Sequence, residues 1–213
     1  MSSLQLNGSA DEHYRTRWTS QKGTRPPRVA NCSGYKADPG HQMLRQATQG
    51  DIDFITGDYL AEVNIAENAE AMAAGKHPGY EMTAWEGIEM TIDVLAEKRI
   101  KVIINGGAQN PKGLAERVQE LVASKSLDLK VAYVEGDNLI QEVKYMVKNG
   151  KLGPHLDEGN EAVKVPKDTT ALLDSDRKPI VSANAYLGAR EIVKGLELGA
   201  DIVIAGRVAD ASP

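Results

Sequence analysis

Six times along the chain an apolar, β-branched run breaks off into small, polar or charged residues. The runs are VANCSGY (29–35), DFITGDY (53–59), KVIINGGAQN (101–110), VAYVEGDN (131–138), PIVSANAY (179–186) and DIVIAGRVADAS (201–212). Runs of this kind suit strands buried on both faces, as in a parallel sheet with helices on each side. Between them, apolar residues recur at helical spacing. Helices are expected over about 39–49, over 60–75, and over 80–98 with Trp85, Ile88, Ile92 and Leu95 on one face. A fourth starts at Pro111 and aligns Leu114, Val118, Leu121 and Val122; a fifth covers 139–148 with Ile140, Val143 and Val147 inward; the last covers 187–198. Gly75, Gly150 and Gly199 stand where helix C-termini favour glycine. The alternation predicts an α/β fold: a mostly parallel sheet with helices on both faces, joined by right-handed βαβ units. Two helices fall between the second and third runs, so an added layer is expected there.

The flanks of this pattern set the expected domains. Residues 1–27 read as a flexible arm ending in Arg25-Pro26-Pro27, a stiff entry to an α/β domain over 28–213. Residues 151–178 are polar, hold two prolines and show no period. They read either as a lid over the strand ends or as a plain surface excursion. No helical pattern follows the sixth run, so the sheet is expected to be truncated there. Its open strand would need a homo-oligomer or a partner chain to cover it.

Composition removes several classes. The net charge is −5 with no basic stripe, which argues against nucleic acid. No apolar run reaches the length of a membrane span, and the first 28 residues lack the apolar stretch of a secretory leader. The lone Cys32 forms no internal disulfide and leaves the cytoplasm as the expected compartment. It reads as a small buried residue rather than a nucleophile, because no histidine lies in a strand-end motif.

In parallel sheets ligands bind beyond the carboxyl ends of the strands, so the run endings hold the candidate chemistry. Asp58 reads as a general base, a metal ligand or the cap of the following helix. Asn105, Gly106 and Gly107 precede a helix start and offer N–H groups to an anion, while Asn110 before Pro111 also fits a helix cap. Glu135 and Asp137 flank Gly136. They read as proton carriers, as ligands of a divalent cation shared with Asp58 or Asp210, or as a cap plus a solvated acid. No other cofactor is indicated. Ser182 reads as a candidate nucleophile with neither an elbow motif nor an identifiable base, and Asn184 and Tyr186 suit a carbonyl or hydroxyl. Tyr35, Tyr59 and Tyr186, of seven tyrosines, either line a pocket or seal the core edge. Arg207 either clamps a carboxylate or phosphate or pairs with Asp210 or Glu135.

RVANCSG, GDIDFITGDYLAE, KVIINGGAQNPKGLAERV, KVAYVEGDNL and SANAYLGAREIVKGLELGADIVIAGRVADAS resemble the N-terminal part of the acyclic terpene utilisation protein AtuA family, over about 28–213. The resemblance implies a small-molecule enzyme, or a remnant of one, linked to breakdown of acyclic terpenes through CoA thioesters. A fungal secondary-metabolite setting is also implied. By position the family pattern covers Ser33, Gly34, Gly57, Asp58, Tyr59, Asn105, Gly106, Asn110, Pro111, Gly136, Asp137, Ser182, Asn184, Tyr186, Gly206, Arg207 and Asp210, without assigning roles. Two departures stand out. Tyr35 is followed by Lys36-Ala37-Asp38-Pro39-Gly40 where the family has an aromatic and a Gly-Asp segment, and family members continue beyond Pro213.

Two functions are therefore expected in competition. One is a lyase- or hydratase-like enzyme acting on a carboxylated or acyl-CoA-linked metabolite. There Asp58 or Asp137 moves the proton, Asn105 and Asn184 hold the carbonyl, and Arg207 fixes the acid group. The other is a noncatalytic binding or accessory protein. A third reading, a nicotinamide dehydrogenase, is disfavoured, because Asn31-Cys32-Ser33-Gly34 lacks the glycine spacing for pyrophosphate.

Overall fold

A computed structural model describes residues 4–6 as backbone, and residues 25–35, 37–153, 156–164 and 179–213 in full. Five parallel strands form the sheet: β2 (Val29–Asn31), β3 (Phe54–Gly57), β4 (Lys101–Ile104), β5 (Val131–Val134) and β6 (Ile202–Ala205). Their order is β5-β6-β4-β3-β2, and β1 (Leu4–Leu6) pairs antiparallel with the outer edge of β5. That pairing falls inside the stretch expected as an arm.

Each central strand is buried on both faces, and alternate residues feed two cores. Val102, Ile104, Val131, Tyr133, Ile202 and Ile204 face one core; Ile103, Ala132, Val134, Val203 and Ala205 face the other. This is the two-residue period of a strand with no solvent side.

The first core is covered by α1 (His41–Gln49), α3 (Met82–Lys98) and α4 (Pro111–Ser124). Ile88, Ile92 and Leu95 of α3 and Leu114 and Val118 of α4 lie fully buried against the sheet. Each such side chain stabilises the fold by about 1.5–3 kcal/mol. The second core is covered by α6 (Arg190–Glu197), through Ile192. The chain steps β2 to β3 to β4, skips one position to β5, and returns through α6 to place β6 in the gap. A right-handed crossover running backward puts its helix on the opposite face, which is where α6 lies.

Two expectations change here. The run 179–186 is not a strand; it is an extended segment with isolated bridges from Asn184 to Asn138 and from Leu187 to Val208. Only Ile180 and Val181 are adjacent large apolar residues in it, too few to be buried on both faces, and the outer edge of β5 is held by β1. The sixth run is also not an open strand. It lies in the middle of the sheet, with Ile202–Ala205 buried throughout, so the sixth run is not the exposed apolar strand expected from the sequence.

Two further helices flank the strand ends: α2 (Glu62–Ala73) and α5 (Ile140–Lys148). As expected, α2 and α3 both lie between β3 and β4. The apolar side of α5 holds no buried residue among those described, so Ile140, Val143 and Val147 do not point into the core. Residues 154, 155 and 165–178, and with them much of the expected lid and His155, lie outside the described residues.

Candidate active site

The carboxyl ends of β3, β4, β5 and β6 meet at one edge, where their polar endings interlock. At the end of β3, Asp58 is half-buried and does not cap α2. The residue before that helix is Ala61, and no side chain caps it. Instead Asp58 Oδ1 accepts the Asn105 amide at 2.5 Å and the Leu60 N–H at 3.3 Å. Asn105 is fully buried, and its Oδ1 accepts the Tyr59 N–H at 2.7 Å. Both ends of the Asn105 amide are thus engaged. It orients Asp58, and its amide is engaged by protein partners, where the sequence suggested a hold on a substrate carbonyl.

The other asparagine behaves alike. Asn184 donates to Asp137 Oδ2 at 2.8 Å and accepts from Gln109 Nε2 at 3.0 Å, and Gln109 accepts from Asn138 at 3.2 Å. The residue that locks Asn184 is Gln109, to which the sequence analysis gave no role; its place in a strand ending was the available signal. Asp137 lies 2 % exposed behind this network and also accepts the Arg207 N–H at 2.8 Å. Gly136, at φ +115°, turns the chain so that this carboxylate re-enters the protein. Burial pushes the Asp137 carboxyl above the usual carboxylate range, against the lowering by its donors. A Cβ at Gly206 would stand 2.6 Å from Asp137 Oδ1, so any side chain there must displace that carboxylate. Among the described residues Asp137 caps no helix; it ties the ends of β5 and β6 to the segment around Asn184.

The glycine-rich ending of β4 is used for packing. Gly107 N–H donates to the Ala205 carbonyl at 3.0 Å, Ala108 N–H to Asn105 at 3.2 Å and Gln109 N–H to Gly79 at 2.9 Å. A Cβ at Gly106 would meet that of Ala84 at 2.5 Å. These N–H groups are turned inward and do not form the anion cradle expected from the sequence. Asn110 is the helix cap: its Oδ1 accepts the Gly113 N–H at 2.9 Å.

The expected carboxylate cage for a divalent cation does not assemble either. Among the described residues no three His, Cys, Asp or Glu side chains are grouped to hold a metal. Asp137 is turned inward, and Glu135 stands half-buried at the end of β5.

What does assemble is a cleft of about 160 Å³ lined by Gly34, Tyr35, Asp58, Tyr59, Leu60, Ala61, Glu62, Arg207 and Asp210. Ser182 is not among its walls. Ser33 is buried beside it, its Oγ 3.3 Å from the Asp58 carbonyl oxygen. Asp38 closes the first loop by accepting the Gly34 and Tyr35 N–H groups at 2.8 and 2.9 Å. The departure from the family pattern in this loop therefore still yields a closed turn. Beneath the cleft, Tyr59 and Cys32 share a contact of 3.4 Å between hydroxyl and sulfur. Burial pushes the thiol up to about 11 and raises the phenol as well.

Arg207 is the cation of the cleft. Its guanidinium donates to the Leu60 carbonyl and to Asp210 at 2.8 Å, stands 3.6 Å from Glu62, and stacks under the Tyr186 ring at 3.8 Å. Tyr186 in turn donates to Glu62. That bond pushes the Glu62 carboxyl down and the Tyr186 phenol up. Glu62, the first residue of α2, was not singled out in the sequence. Acidic residues in a first helical turn are common for dipole reasons, which hid it.

Residues 27–213 match the model of the acyclic terpene utilisation family protein AtuA, and the chain belongs to that family. No curated protein and no solved structure matches it significantly. No helix among the described residues is long and apolar enough to cross a membrane.

Proposed function

We propose that this AtuA-family chain is an enzyme of acyclic terpene utilisation that moves a proton next to a carbonyl, in the manner of a lyase or hydratase. Its substrate is a carboxylated or CoA-linked branched metabolite. The observation that carries this reading is the pairing, in one cleft, of an oriented carboxylate with a buried guanidinium. Asp58 Oδ1 is held by Asn105 and Leu60, while Oδ2 has no hydrogen-bond partner among the described residues. A carboxylate fixed by one oxygen and open by the other suits a general base. Arg207 supplies the fixed positive charge that an acid group or a developing enolate seeks.

The size of the cleft refines the substrate. Pockets that enclose a drug-sized ligand usually run to about 300–1,000 Å³; about 160 Å³ takes only the reacting end. A CoA moiety would lie outside it.

The test is turnover of a panel of branched acyl-CoA thioesters and the matching free acids, followed by mass spectrometry. Asp58→Asn should lower turnover by about 100-fold or more, the usual worth of a positioned base, with folding retained. Full turnover in Asp58→Asn and Arg207→Gln would remove the assignment. Saturable binding without turnover in the unaltered chain would favour a noncatalytic binding protein instead.

A further inference from the structure

The surroundings of Arg207 identify what the cleft is built to admit. Its side chain is 3 % exposed, yet the two carboxylates at its Nη2 are not: Asp210 is 69 % exposed and Glu62 78 %. A buried cation is thus neutralised by two exposed surface acids. Asp210 meets it through a single oxygen at 2.8 Å, and Glu62 stands off at 3.6 Å. The Arg207 Nε is buried and has no hydrogen-bond partner among the described residues. Nε–H and one Nη2–H point along the same edge of a guanidinium, the edge that a carboxylate takes side-on with two parallel bonds. Here that edge is half-filled: Nη2 is shared and Nε is unmet. An unmet buried donor costs about 1–3 kcal/mol, so the site is unsatisfied until a better-placed acceptor arrives.

The other walls hold the guanidinium in place for such an acceptor. Tyr186 covers one face of the guanidinium, and the Leu60 carbonyl takes Nη1. Neither neutralises its charge. The Tyr186 hydroxyl also ties Glu62 across the mouth.

We propose that Glu62 and Asp210 are internal stand-ins for a ligand carboxylate. A small branched carboxylate enters by displacing them from Arg207 and binds its Nε and Nη2 edge side-on. This inference rests on the reading of the cleft given above and narrows it to ligands with a free carboxylate at the reacting end, small enough for a cleft of about 160 Å³.

The experiment uses the full chain with isovalerate as probe and isovaleramide, of the same shape but neutral, as control. Binding is measured by titration calorimetry. Removing the competitors frees the arginine, so Glu62→Gln and Asp210→Asn should each tighten isovalerate binding about three- to tenfold, and Arg207→Gln should abolish it. Isovaleramide should bind none of them measurably. Glu62 and Asp210 are surface residues, so their variants keep the fold, which a thermal melt checks. The proposal is overturned if both variants bind isovalerate no better than the unaltered chain, if the amide binds as well as the acid, or if no form binds the acid. Asp58→Asn separates this inference from the catalytic one: isovalerate binding kept with turnover lost supports both. Turnover lost from a chain that never binds isovalerate leaves the base standing and removes the stand-ins.

Discussion

At the residue scale the site is a set of side chains that hold other side chains. Asn105 illustrates it: one amide end fixes Asp58 and the other takes the Tyr59 N–H. Asn105→Ala leaves a buried N–H unpaired and Asp58 unguided. It should cost about 1–3 kcal/mol of stability, visible in urea unfolding. It should also lower kcat more than KM, a split that a purely structural asparagine would not show. Gly206→Ala should be harsher than its size suggests, because the new methyl meets the inward-turned Asp137 carboxylate rather than a flexible chain end. Overpacking of this kind costs about 1–3 kcal/mol, again read from the urea midpoint. Cys32 gives a simpler check. With its thiol pushed up to about 11 and its side chain buried, it should resist a thiol reagent at pH 8 in the native protein and react at once in guanidinium.

These roles were only partly legible from residue types. Asp58, Arg207 and Asp210 stood out because charged residues follow apolar runs, and the structure brings all three into one cleft. Asn105 and Asn184 stood out as polar endings of the same runs, and the structure turns both amides to protein partners. Whether an amide faces a ligand or a neighbouring carboxylate depends on a partner 47 residues away in each case, which no local pattern encodes. Glu62 was hidden because its partners, Tyr186 and Arg207, are distant in sequence.

At the scale of elements, period and length carried most of the fold. The α3 face of Trp85, Ile88, Ile92 and Leu95 is buried as its spacing predicts, and β4, β5 and β6 lie where continuous β-branched runs predicted strands. The segment 179–186 misled because two apolar residues at its start resemble a strand. Its true role is to lie along the ends of β5 and β6, with Leu139 N–H donating to Ala183 at 2.7 Å and Ala185 N–H to Asp137 at 2.7 Å. Helix α5 misled in the other direction: its apolar spacing is regular, yet none of its residues is buried. The contrast is measurable. Leu95→Ala should cost about 2–5 kcal/mol, as for deletions in a packed core. Val143→Ala in α5 should stay within about 1 kcal/mol. Equal losses in urea unfolding would contradict the packing described.

For the whole molecule, the order of the strands matters most. Inserting β6 between β4 and β5 gathers the endings that carry Asp58, Asn105, Asp137 and Arg207 at one edge. Alternation along the chain cannot reveal that step, because a skipped position and an open edge look the same until pairing is known. The insertion also buries charge at the opposite end of the sheet. There Asp201 accepts the Lys130 N–H at 2.8 Å and faces Lys101 at 3.4 Å and Arg99 at 3.6 Å. Burial pushes Asp201 from 3.8 up to about 7, and Lys101 down from 10.5 to about 8. The folded protein therefore holds the Asp201 proton that the unfolded chain releases near pH 4. Stability from this group is full below that pH and falls as pH rises toward 7. Urea midpoints between pH 4.5 and 7.5 should decline more steeply for the unaltered chain than for Asp201→Asn. Parallel curves would show that its cationic neighbours offset the burial completely.

The central claim is that Asp58 removes a proton at the cleft. Its most direct measurement is deuterium wash-in at the carbon next to the thioester carbonyl of a branched acyl-CoA that also bears a free carboxylate, in D₂O, followed by NMR for the unaltered chain and Asp58→Asn. The account predicts steady wash-in with the unaltered chain and a rate at least about 100-fold lower with Asp58→Asn at an unchanged melting temperature. Equal wash-in by both proteins, or none by the unaltered chain across the acyl-CoA panel, would contradict it.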